Sequence, residues 1–138
     1  MLNDALKELS QARFDHAMEC LQAAKSLLSA GNIKSAANRA YYAVFHAMRA
    51  VLAYDGIDMK HHSGIISSFR RLYIKTGVFD VRLSSIIAEL FDLRTGSDYD
   101  DFFVVSGEEV SEQIGNAERF LSEIKKHLET KWESSPDK

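Results

Sequence analysis

The chain has 138 residues, 46% of them hydrophobic and 27% charged, with a formal net charge of −3. That is enough for one domain with a real core, and it excludes a disordered or fibrous chain. A negative balance supplies no general field for nucleic acid, so any such contact must come from a local basic patch. The single cysteine, Cys20, excludes an internal disulfide and fits a reducing compartment.

The opening stretch, MLNDALKELSQARFDHA, is interrupted by polar and acidic residues and does not read as a leader. No apolar run approaches the roughly 20 residues that span a bilayer. The expectation is a cytoplasmic protein with no membrane contact. The only proline is Pro136, so long uninterrupted helices are permitted.

From Leu2 to Ser29 the positions Phe14, Ala17, Met18, Leu21, Ala24, Leu27 and Leu28 recur by threes and fours, which predicts a helix. Gly31-Asn32 stops it. A second helix is predicted over Ile33 to Tyr54. Its apolar positions, from Ile33 through Val51, are widened by Tyr41, Phe45 and Leu52 to cover about half the circumference at 100° per residue. Such a helix belongs at the centre of a bundle or in a seam with a second subunit.

Asp55-Gly56 ends it, and GIDMKHHSG reads as a loop. A third helix is predicted over Ser63 to Lys75, and a fourth starts near Asp80, a reasonable N-cap. Periodicity is lost in RTGSDYDDFFVVSGEE, where Phe102 to Val105 suit a short extended piece packing across the bundle. Ser106 followed by Glu109 fits a capping box, which starts the last helix at Gly107. The prediction is an all-α fold: an antiparallel up-and-down bundle of four to five helices, one domain over residues 1–130, then a frayed tail over 131–138.

Arg39, Tyr42, His46 and Arg49 lie at i, i+3, i+7 and i+10 of the second helix and share one face. The plain reading is a solvated face. The sharper one is a phosphate-contacting row: arginine to clamp phosphate, tyrosine to stack, histidine to move a proton. His61-His62 precede a helix start and suit either an exposed loop pair or an anion contact. A metal site from His61, His62 and Asp98, Asp100 and Asp101 is disfavoured, because adjacent histidines chelate one ion poorly and no HxxxH or ExxH spacing occurs. No metal or other cofactor is therefore expected. Arg70, Arg71 and Lys75 form the local basic patch, read as solvated.

Three stretches carry a resemblance: SAANRAYYAVFHAMRAVL, KHHSGIISSFRRLYIKTGVFD and LFDLRTGSDYDDF. An RxYYAxFH helix, an H-S-G helix start and an R-x3-D-Y helix end, in that order, resemble the HEPN family, the higher-eukaryote and prokaryote nucleotide-binding domain. The likeness extends from about Ala5 to Leu128 and is to the branch of small stand-alone bacterial and archaeal proteins. It implies an all-α bundle, a homodimer, and a toxin–antitoxin or defence pair whose other half is a minimal nucleotidyltransferase. Active members resemble metal-independent ribonucleases built on an Arg, four to six residues, then His. Such a pair suits RNA cleavage by the 2′-hydroxyl. Histidine serves as acid or base near neutral pH, and arginine clamps the phosphate that gains charge.

Arg94 falls where the motif arginine belongs, but the following candidates are Tyr99, Asp100 and Asp101, none of them histidine. Asp98 and Tyr99 could share the acid and base work, although an aspartate near pKa 3.9 is a poor acid and a tyrosine near 10 a poor base at neutral pH. Arg39 and His46 satisfy the spacing, but in the wrong helix and about 10 Å apart along it. The polar pocket expected from the resemblance is Arg39, Tyr42, His46 and Arg94 for nucleotide or RNA, with Arg94, Asp98 and Tyr99 as the candidate catalytic group. Three functions stay open at this point: a nucleotide- or RNA-interacting module, a weak metal-independent endoribonuclease, and a structural helical interaction protein.

Overall fold

The computed structural model describes residues 2–134, and all its regular secondary structure over that span is helical. In order the elements are α1 (Leu2–Ser29), α2 (Ile33–Tyr54), the short α3 (His62–Phe69), α4 (Arg82–Tyr99) and α5 (Gly107–Ser134). α3 runs on into a π-helical turn over Arg70–Ile74, closed by Lys75 N–H donating to the Arg70 carbonyl. Among the described residues there is no strand. No described helix is long and apolar enough to cross a membrane.

The α1–α2 hairpin sets the register of everything else. Gly31 turns with φ of +84°, a conformation glycine adopts without strain, and Asn32 N–H reaches back to the Leu27 carbonyl at 2.8 Å. The two helices then run antiparallel: Ser10 Oγ donates to the Ala50 carbonyl at 2.7 Å, and the His16 ring stacks on His46. α4 is antiparallel to α2, through Asn38–Asp98 and Tyr42–Arg94. α5 is antiparallel to α1, through Lys25–Glu118 and Ser10–Trp132. The four long helices therefore form the expected up-and-down bundle, with α3 as a short crossing piece.

α2 is its axis. Thirteen of its 22 residues are buried, seven of them alanines, so α1, α4 and α5 can all close on it. The wide apolar arc of α2 is thus covered within one chain. Larger side chains supply bulk around it: Phe69, Leu90, Phe120, Leu121 and Leu128 are all essentially fully buried. Each such burial contributes about 1.5–3 kcal/mol.

Three boundaries depart from the sequence reading or refine it. α4 continues past the point where the apolar periodicity is lost, through Arg94 to Tyr99. Gly96, which breaks the apolar pattern, is there because the Phe103 ring packs flat against its backbone; a Cβ would lie 2.8 Å from Phe103 Cζ. In the segment after it, Phe103 and Val105 pack on the core while Phe102 and Val104 point out, as an extended piece crossing the bundle requires. At the other end, α5 passes residue 130 and stays helical to Ser134. Trp132 meets Phe14 edge-on at 6.2 Å and its Nε1–H donates to Ser10 Oγ at 3.1 Å. Residues 135–138 of the expected tail lie outside the described residues. The Ser106–Glu109 box forms as predicted, with Glu109 N–H on Ser106 Oγ at 3.1 Å.

Candidate functional site

The C-terminal turn of α4 lies against the N-terminal half of α2, and there the polar residues meet. Arg94 is the hub, its side chain only 14% exposed. Its Nη2–H donates to Tyr42 Oη at 3.0 Å and to Tyr99 Oη at 3.3 Å, and its Nε–H to Asp98 Oδ2 at 3.1 Å. The guanidinium lies 5.4 Å from the Tyr41 and Tyr42 ring centres and 5.3 Å from that of Tyr99, within cation–π range. Because α4 stays helical to Tyr99, Arg94 and Asp98 are one turn apart and can pair as i and i+4.

Arg39 reaches the same tyrosine from the other helix. Its guanidinium carbon is 4.9 Å from the Tyr42 ring centre, and its Nε and Nη2 both donate to Asn38 Oδ1, at 2.9 and 2.7 Å. Asn38 Nδ2 in turn donates to Asp98 Oδ2 at 2.8 Å. Arg39, Asn38, Asp98 and Arg94 thus form one hydrogen-bonded row with Tyr42 between the two arginines.

Beside this row opens a hollow of about 530 Å³ lined by Leu27, Lys34, Ser35, Asn38, Arg39, Ser97 and Asp98. Ser97 is 9% exposed, and its Oγ has no hydrogen-bond partner in the protein. A buried hydroxyl left unpaired costs about 1–3 kcal/mol. Lys34 and Arg39 line the hollow with one carboxylate, Asp98, which Arg94 pairs from outside it, so basic groups outnumber acidic ones here although the chain as a whole is acidic.

His46 lies apart from this row. Its ring stacks on His16 of α1 at 4.1 Å, and its centre is 6.0 Å from that of Tyr42. Burial, reinforced by His16, Arg49, Arg39 and Arg13, pushes its pKa down to about 4, so the ring is neutral at physiological pH. Arg49 turns to Asp58, 3.9 Å away, which Arg13 also approaches at 3.4 Å. The face of Arg39, Tyr42, His46 and Arg49 is therefore a half-buried seam against α1 and α4 and not a solvated surface.

The histidine that does approach the row is His62, the first residue of α3. Its ring packs on Phe45 at 4.1 Å and lies edge-on to Tyr42 at 5.6 Å, and its Nδ1 is 3.3 Å from Tyr41 Oη. Burial lowers its pKa, with Arg94 and Arg49 adding to the shift. Burial also pushes Tyr41 up to about 12, so its hydroxyl keeps its proton. Sequence left His61-His62 as either an exposed loop pair or an anion contact; only His61 is exposed. The signal available beforehand was its position at the helix start, where the N-terminal turn of α3 aims it at α2. His61, His62 and Asp98, Asp100 and Asp101 do not converge as a ligand group; among the described residues the group that does is His16, Cys20 and His46. Arg70 of the expected basic patch is engaged, donating to Ser84 Oγ and the Ser84 carbonyl at 3.0 and 3.1 Å.

Fold and site together define a class: a small helical bundle whose central helix presents arginine and tyrosine to a motif arginine at the end of a later helix. Comparison with known proteins gives the family. The HEPN domain pattern matches residues 10–128. A "UPF0332 protein" of Thermotoga maritima is 37% identical over 113 residues, covering 82% of this chain and 86% of that protein. Two proteins of Methanocaldococcus jannaschii named "Putative toxin" are 34% and 32% identical. The first match covers 93% of this chain and 95% of that protein, the second 85% and 80%. The chain belongs to the HEPN family.

Proposed function

We propose that this chain is a toxin-like HEPN module that binds a phosphate-bearing ligand, a nucleotide or RNA, in the hollow between α2 and α4. It would act as a homodimer paired with a minimal nucleotidyltransferase in the cytoplasm. The names of the M. jannaschii relatives support the toxin-like part of this reading. One observation carries the ligand part: Arg39 and Arg94, far apart in sequence, flank one tyrosine beside a hollow lined by Lys34 and Arg39. Arg94 Nη1 makes no bond within the described protein and is available to a phosphate oxygen. In this reading Arg39 and Arg94 hold phosphate, Asp98 orients Arg94, Tyr42 and Tyr99 stack or donate hydrogen bonds, and His46 braces α2 against α1.

The test is induced expression in cells of the wild type and of Arg94→Ala, alongside thermal melts with nucleotides. Growth arrest and a ligand-dependent rise in melting temperature, both lost in Arg94→Ala, support the reading. Arrest and melting shifts untouched by that change remove its support. Nucleotides that leave the melting temperature unchanged, with no arrest, favour a structural interaction protein.

A second reading, a metal-independent endoribonuclease, is favoured by His62. A neutral imidazole 5.6 Å from Tyr42 stands where proton transfer could replace that of the missing motif histidine. Labelled RNA incubated in EDTA distinguishes the two readings. Cleavage lost in both His62→Gln and Arg94→Ala supports the enzyme, and intact RNA at high protein concentration supports the binding module.

A further inference from the structure

Away from the phosphate hollow, the α1–α2 seam gathers three groups to which the proposed function gives no contact with the ligand. His16 and Cys20 are one turn apart on α1, so both side chains stand on the face toward α2. The antiparallel register brings His46 opposite them. One ring nitrogen from each histidine and the Cys20 sulfur all lie within 4.8 Å of one another. In a tetrahedral zinc site, with Zn–N about 2.0 Å and Zn–S about 2.3 Å, neighbouring donors sit roughly 3.3–3.8 Å apart. Closing the difference takes about 1 Å. It also takes a turn of one stacked ring to bring its lone pair edge-on, which the exposed His16 side chain can supply.

Three features make this more than proximity. The donors are of the kind that select soft or borderline ions: one thiol and two imidazoles. His46 Nδ1 is sealed from water without a hydrogen-bond partner, and no side-chain hydrogen bond within the described residues engages either imidazole. Arg39 points Nη1 at Cys20 Sγ from 4.0 Å, ready to support a thiolate from outside the coordination shell.

We propose that His16, Cys20 and His46 form a thiolate–bis-imidazole site for zinc across the α1–α2 seam, with a fourth position left to water. Binding releases the thiol proton to solvent as the Zn–S bond forms. It also draws Arg39 toward sulfur, so occupancy of the site and the pose of Arg39 over Tyr42 are linked.

The experiment uses the full chain, stripped with chelator and titrated with Co²⁺ as a spectroscopic probe, then with Zn²⁺ in competition. The expected result is one ion per chain, a thiolate-to-cobalt charge-transfer absorption, and protection of Cys20 from a thiol-modifying reagent by zinc. Cys20→Ser abolishes the absorption. His16→Asn, at an exposed position that leaves the fold intact, weakens affinity by at least the tenfold that even outer-shell losses cost. His61→Asn changes nothing. Absence of the charge-transfer band in the wild type, or His16→Asn and His61→Asn binding alike, overturns the proposal. Circular dichroism of each variant confirms that it is folded, so a loss of binding reads on the site and not on the bundle.

Discussion

Gly96→Ala separates local helix preference from tertiary packing at the end of α4. In an exposed helix interior, alanine is favoured over glycine by about 1 kcal/mol. Here the added methyl would meet the Phe103 ring, 2.8 Å from Cζ and closer to Cδ1 and Cε1. Carbon atoms pack best at about 3.5–4.0 Å, so the ring must retreat by about 1 Å or more. Overpacking of that size costs about 1–3 kcal/mol. The net expectation is destabilisation by about 0–2 kcal/mol, or up to several degrees in Tm for a chain of this size. In a Phe103→Ala background the obstacle is gone, and the same substitution should stabilise by about 1 kcal/mol. The coupling from this double-mutant cycle, measured by urea unfolding followed by Trp132 fluorescence and far-ultraviolet circular dichroism, should be about 2 kcal/mol. Zero coupling, with Gly96→Ala stabilising both backgrounds equally, would refute the packing of residues 100–106 on α4 and with it the placement of Tyr99.

Other consequences follow from single contacts. Trp132→Ala removes the edge-on contact with Phe14 and the bond to Ser10 Oγ; unfolding by denaturant should show a loss of about 2–3 kcal/mol, whereas a frayed tail would show none. His46 resists protonation in the native state down to about pH 4, held there by burial and by His16, Arg13, Arg39 and Arg49 around it. The unfolded chain takes up that proton near pH 6.5, so stability in EDTA should fall as pH drops from about 6.5 toward 4. Comparing urea midpoints of the wild type and His46→Gln across that window should show a shallower fall in the variant. Identical slopes would contradict the burial of this ring. Tyr73→Phe removes the bond from the Tyr73 hydroxyl to Asp55 and leaves that carboxylate without its partner from the π-helical turn. The expected cost is about 1–2 kcal/mol by the same unfolding assay.

Much of the fold was legible because its signals are local. The threes-and-fours spacing of α1, α2 and α5, the Gly31 turn and the Ser106–Glu109 box each report on a few neighbouring residues. Apolar periodicity does not carry α4 past Leu93; its course to Tyr99 depends on packing, with Phe103 in the space a side chain at Gly96 would fill. α5 runs on past residue 130 to Ser134 because Trp132 is anchored by Ser10 and Phe14, near the other end of the chain. The site divides in the same way. Arg39 and Tyr42 share a helix face, and the motif arginine is visible as Arg94, so their candidacy was readable. Their linkage through Asn38 and Asp98 needs the α2–α4 register. His16 and Cys20 stand one turn apart in plain view, but His46 joins them only once α1 and α2 pair antiparallel. His62 was hidden by its neighbour His61, since adjacent residues at a helix start point different ways.

The central claim is that Arg39 and Arg94 act on one anion. The most direct measurement is fluorescence-anisotropy titration of a labelled single-stranded RNA oligonucleotide with the wild type, Arg39→Ala, Arg94→Ala and the double variant, over a series of salt concentrations. A charge-assisted hydrogen bond is worth about 1.5–3 kcal/mol, so each single change should weaken binding by roughly 10- to 150-fold. Each should flatten the salt dependence, and the two losses should be non-additive. Full affinity and an unchanged salt slope in the double variant would contradict the account.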